Sequence, residues 1–154
     1  MMRPDNLKVI GQILSPLRRS QSKTITLVIQ GIAWMAQAAS IPVAAFVSQA
    51  TGSQIDSALT RFYRLLHNPK LDDLKVTRQM LSFFAQLPGP FLIAIDWTEW
   101  HPPLRMLLPS VIRGNRAIPV QAMVFSKTHI HRSQNTWENN FLRLLCRLLN
   151  EIQA

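Results

Sequence analysis

The sequence has a single cysteine, Cys146, in 154 residues. That excludes a disulfide-stapled scaffold and favours a reducing compartment, the cytoplasm. Charge is also scarce, at 16% of residues, which excludes a histone-like coat of cations. Acids are the scarcest part of it: 8 Asp and Glu stand against 17 Lys and Arg, for a net charge of +9. Such an excess points to a polyanionic partner, nucleic acid or an acidic membrane face. No charged residue at all occurs from Thr24 to Ile55. The stretch reads as a membrane span or leader, or as two buried helices, about Ser22 to Ala39 and Pro42 to Ala50, split by the proline. Gln30, Gln37, Ser40, Pro42, Ser48 and Gln49 interrupt it, so no membrane association is expected. With 47% apolar residues, the chain can bury a core as one ordinary domain or two small ones.

The cluster Leu87, Pro88, Gly89, Pro90 separates helical from strand patterning and predicts a domain boundary, with units 1-87 and 88-154. Residues 1 to 86 carry ten Lys or Arg against four acids, and the remainder seven against four. In the first unit an apolar helix (Val43, Ala44, Phe46, Val47) meets Thr51 and Gly52, and another helix follows at once. Ser53 and Asp56 have the capping-box spacing, which predicts a helix start at Gln54. Its predicted apolar face is Ile55, Ala58, Leu59, Phe62 and Leu66, with Gln54, Ser57, Arg61 and Arg64 on another face. Helix, short turn, helix over 42-67 is the helix-turn-helix arrangement, whose second helix offers its polar face to the DNA major groove. Gln54, Ser57, Arg61 and Arg64 are therefore the candidate DNA contacts; a solvated basic helix face is the plainer alternative. A helix over Asp72 to Gln86, with Asp72 and Asp73 at its start, completes this unit.

After Pro90 the pattern is three strands and a helix. Phe91 to Asp96 reads as a strand buried on both faces with a carboxylate at its end; Leu104 to Ile112 and Ala117 to Phe125 read as a hairpin. An amphipathic helix follows, opened by Asn135 and Glu138 at capping-box spacing. The expected class is thus α+β: a helical N-terminal DNA-binding region, then an incomplete RNase H-like core of three antiparallel strands and one helix. Cores of that type hold two divalent ions, Mg²⁺ by preference, between carboxylates.

The blocks Asp96-Trp97-Thr98-Glu99-Trp100, Arg116-Ala117-Ile118-Pro119-Val120-Gln121, Phe125-Ser126-Lys127-Thr128-His129 and Arg132-Ser133-Gln134-Asn135 resemble bacterial insertion-sequence transposases of the DDE type. Gly52 to Asp56 and Tyr63 to Pro69 resemble the segment preceding the catalytic core in that family. The resemblance implies a recombinase that binds the inverted-repeat ends of its element in the bacterial cytoplasm, at the nucleoid. It makes Asp96 the first of three metal-binding carboxylates, with Mg²⁺ as the family's ion. The second Asp and the Glu of the family pattern are not among these residues, which implies the N-terminal portion of a transposase, inactive alone in cleavage. Its partners would be element-end DNA and, in a regulatory reading, full-length transposase or a second split-gene chain.

Other constellations are weaker. His101, His129 and His131 suggest zinc, without a matching cysteine or carboxylate. Ser126 and Lys127 suggest a nucleophile and base, without a third member. Trp97 and Trp100 read as base-stacking platforms or as packing at a strand end.

Overall fold

The computed structural model describes residues 4-130 and 134-153. The chain is α+β, and it divides into two compact units, Met1–Val76 and Thr77–Ala154. The division thus falls before the Leu87 to Pro90 breaker, inside a helix, because the second half of that helix supplies Leu81 and Phe84 to the core of the second unit.

The first unit contains α1 (Pro4–Ile13), α2 (Arg19–Met35), α3 (Ser40–Thr51), α4 (Ile55–Leu66) and the start of α5 (Asp73–Ala85). Its core is Val43, Ala44 and Val47 of α3 with Ala58 of α4, flanked by Leu27, Val28 and Ile32 of α2 and by Leu59 and Phe62. Helix α3 starts at Ser40, two residues ahead of Pro42. A proline in the first turn is tolerated because the N–H it lacks has no intrahelical acceptor there. Gly52, at φ 66°, ends α3 in the left-handed region, where a side chain is costly, and its N–H returns to the Ser48 carbonyl. Among the described residues no single helix is long and apolar enough to cross a membrane; α2 and α3, which hold most of the uncharged stretch, are bent by 113° at their break.

The expected cap of α4 does not form. Ser53 Oγ lies 2.8 Å from Thr51 Oγ1, and Gln54 is the N-cap residue, without a side-chain bond. The helix therefore begins one residue later, at Ile55. Ile55 (49% exposed) and Leu66 (60%) also leave the predicted apolar face, since the contact with α2 and α3 is made by Ala58, Leu59 and Phe62 near the middle of the helix. Helix α5 behaves as expected at its start, where Asp72 Oδ1 accepts the Lys75 N–H at 3.1 Å.

The second unit is an antiparallel sheet with helices. Strand β1 (Leu92–His101) pairs with β2 (Leu104–Arg113), which pairs along its other side with β3 (Arg116–Pro119) and β4 (Met123–Ser126). Strands β3 and β4 occupy the place of the single strand expected over Ala117 to Phe125. Between the pairs Ser110↔Pro119 and Leu107↔Met123, β2 has two residues and the facing chain three, a bulge at Val120 to Ala122. The cause is Pro109, which has no N–H to give to a neighbour; only its carbonyl is used, by the Val120 N–H at 3.0 Å. Two helices complete the unit, α6 (Lys127–Ile130) and α7 (Gln134–Gln153). Leu81, Phe84, Leu107, Val111, Val120, Phe141, Leu145 and Leu148 form its core. Burying each such side chain contributes about 1.5–3 kcal/mol.

Strand β1 is not buried on both faces. Ile93, Ile95 and Trp97 pack against the core, whereas Leu92, Ala94 and Asp96 are exposed. The alternation is invisible in the sequence because both faces of its first half are apolar. Asp96 is mid-strand, since pairing with β2 continues through Glu99↔Arg105.

Candidate nucleic-acid interface

Helix α4 runs directly from the Thr51 to Gln54 turn, and the side of it away from Ala58, Leu59 and Phe62 is polar. Ser57, Arg61 and Arg64 follow one another at spacings of four and three and are exposed, so one stripe of the helix carries them. That stripe forms one wall of an open cleft of about 790 Å³, and Ser20, Gln21 and Thr24 at the start of α2 form the other. Three of the four candidate contacts are therefore brought together. Gln54, exposed at the N-cap, stands outside the cleft lining.

The α2 wall is held by hydrogen bonds. Gln21, 9% exposed, accepts the Arg18 N–H at 3.2 Å and donates to the Lys70 carbonyl at 3.4 Å, while Thr24 Oγ1 donates to the Ser20 carbonyl at 2.9 Å. Among the described residues Arg61 and Arg64 have no ion pair, and Asp56, also in the lining, has none either. Asp56 lies five and eight residues before the two arginines, off the three- and four-residue spacing at which helix side chains meet. The cleft thus presents two uncommitted guanidinium groups, forked donors that suit phosphate oxygens and guanine edges. Sequence reasoning missed Asp56, assigned there to a cap, and the α2 wall; Thr60, four residues before Arg64, was findable from the helical period alone.

In the second unit Asp96 projects from the exposed face of β1, opposite Leu108 of β2. Glu99, three residues on, belongs to the other side of the strand. It is taken by Lys127 Nζ at 2.7 Å and Arg105 at 3.5 Å. The Lys127 hydrogen bond and charge, with a smaller contribution from Arg105, hold its carboxyl below the usual glutamate range. Divalent ions at phosphoryl-transfer sites need converging oxygen ligands. Among the described residues no group of three His, Cys, Asp or Glu stands together. A lone exposed carboxylate does not fit a Mg²⁺ site, and no catalytic step is assigned to Asp96.

The remaining candidates are accounted for by neighbours. Lys127 is the partner of Glu99, and Ser126 Oγ lies 2.7 Å from Thr128 Oγ1, so neither is poised as base or nucleophile. Trp97 is half-buried with its ring 5.6 Å from that of Phe125, and its Nε1–H donates to Glu138 Oε1 at 2.5 Å. Glu138 is therefore occupied by the indole and by Gln134 Nε2, at 3.1 Å, in place of the expected cap with Asn135, which lies inside α7. The side chains of Trp100, His101 and His129, and all of His131, Arg132 and Ser133, lie outside the described residues. No protein-family model, curated protein or solved structure matches the chain.

Proposed function

We propose that the chain binds duplex DNA through α4, and that this binding serves transposition: recognition of the inverted-repeat ends of a bacterial mobile element by part of a DDE-type, RNase H-like transposase, at the nucleoid. One observation carries the DNA-binding reading, the convergence of Ser57, Arg61 and Arg64, with both guanidinium groups unpaired, in the cleft beside α2. The net charge of +9 supports it, since cations that neutralise phosphates release condensed counterions and drive association. The transposition context rests on the resemblance of the Asp96 to Trp100 block and the blocks after it. The order helix-turn-helix, antiparallel strands with an acid on the first, then a helix, agrees with that resemblance. Cleavage is not part of the proposal for this chain.

Fluorescence anisotropy with a labelled 30-base-pair duplex across a salt series tests the binding. The affinity of the unmodified chain should fall steeply with salt. Arg61→Ala with Arg64→Ala should reduce the slope of log K against log salt by about 2, roughly 0.9 for each phosphate contact removed. An unchanged slope in the double variant would remove α4 from the interface.

A further inference from the structure

The cleft contains a charge that opposes its use. Asp56 is exposed in the first turn of α4, and among the described residues it has neither an ion pair nor a hydrogen bond. The donor that its spacing would offer it, the Ser53 N–H, is given to the Ser48 carbonyl at 3.2 Å. A carboxylate in a first helical turn interacts favourably with the helix dipole. That alone does not explain its place in the same lining as Arg61 and Arg64, where a free acid repels every phosphate that approaches.

What a carboxylate can accept from a DNA duplex is limited. Phosphate and thymine O4 offer it no donor, and guanine presents two acceptors in the major groove. The remaining donors are the cytosine N4 and adenine N6 amino groups. Adenine places its N7 lone pair beside N6, where it faces the second carboxylate oxygen, whereas cytosine has no acceptor at that edge. An acid therefore selects cytosine more sharply than any other base. The first turn of the second helix in a helix-turn-helix is also the part that meets base edges. Asp56 and Ser57 occupy it here, while Arg61 and Arg64 lie one and two turns farther along, in the same lining as Ser20 of α2.

We infer that Asp56 is a specificity-determining residue of the DNA-binding surface, accepting a hydrogen bond from the N4 amino group of one cytosine in the major groove while Arg61 and Arg64 hold the backbone. The inference rests on the DNA-binding reading above. It divides the cleft into a part that reads sequence and a part that supplies affinity.

Selection from a pool of randomised 30-base-pair duplexes, using the full chain and Asp56→Asn, separates the two. The unmodified chain should enrich a motif with one C·G pair whose replacement by T·A weakens binding about tenfold to a hundredfold. Asp56→Asn should bind unselected duplex at least as tightly, having lost a repelling charge, and should shift preference at that pair alone, toward adenine, which an amide can read with two hydrogen bonds. If Asp56 served only the helix end, the variant would melt at a lower temperature and enrich the unchanged motif; that result overturns the inference and leaves DNA binding intact. A motif with no cytosine-dependent position overturns it equally. Failure of the unmodified chain to shift any duplex overturns the DNA-binding reading itself.

Discussion

Several single residues in this chain are held by hydrogen bonds that cross elements. The Trp97 indole is the sharpest case: it is half-buried beside Phe125, and its N–H has the Glu138 carboxylate as partner at 2.5 Å. Hydrogen bonds to charged groups contribute more than neutral ones, and removing the acceptor leaves the indole N–H without a partner. Glu138→Ala should therefore destabilise the second unit by about 1–3 kcal/mol, and Glu138→Gln by clearly less, because the amide oxygen still accepts. Urea denaturation followed by circular dichroism measures both; equal losses would show that the bond contributes little. At this scale the grouping of Ser57, Arg61 and Arg64 on one exposed stripe of α4 was legible from spacing. The surroundings of Asp56 and Glu138 were not, since capping-box spacing says which bond is possible and not which bond forms. Ser53 Oγ meets Thr51 in the one case, and Glu138 meets Trp97 in the other.

At the scale of elements, packing decides what propensity leaves open. Gly31 of α2 is buried, and a Cβ there would meet Phe46 Cδ1 at 3.2 Å and Val43 Cγ1 at 3.3 Å, so the absent side chain is what allows α3 to approach. Gly11 of α1 has nothing within 4 Å of the same position. The two helical glycines should thus respond in opposite directions. Gly31→Leu forces Val43 and Phe46 aside and should cost about 1–3 kcal/mol. Gly11→Ala removes only the conformational freedom of the unfolded chain and should add about 0.5–1 kcal/mol. Thermal denaturation of the two variants reads the contrast; a neutral Gly31→Leu would mean that α2 and α3 can separate freely. Helices α2 to α5 and α7 were legible from their apolar period, but the break expected at Pro42 falls instead at Ala36 to Ala39, with Pro42 inside the first turn of α3, and α1 was not read. The β3–β4 bulge was not, because Pro109 exerts its effect on a neighbouring strand whose pairing partner the sequence does not name. Arg113 belongs to the same class of nonlocal fact: its guanidinium donates to the Phe84, Leu87 and Pro88 carbonyls and so closes the end of α5, although it lies at the far end of β2.

Over the whole molecule, charge and apolar surface are distributed differently in the two units. In the first unit Asp5 and Asp72 are ion-paired, to Lys8 and Lys75, while Arg61 and Arg64 have no ion pair among the described residues; in the second Glu99 and Glu151 are ion-paired, to Lys127 and Arg78, and Glu138 is hydrogen-bonded to Trp97. The sheet instead leaves a face open. Leu92 is 55% exposed opposite Ile112, and Val124 is 45% exposed opposite Met106, on the side away from Ile93, Ile95 and Trp97. Strand β1 is also the end of the sheet order, so among the described residues its outer edge has no strand partner. An apolar face beside an unpaired edge is a template for association, and lysine on such a surface opposes it. Leu92→Lys and Val124→Lys should accordingly lower concentration-dependent light scattering and leave the melting free energy within about 0.5 kcal/mol, as substitutions on an exposed surface do. A large loss of stability in either variant would instead mean that this face is covered within the folded chain. If stability holds and scattering is also unchanged, the open face does not drive self-association.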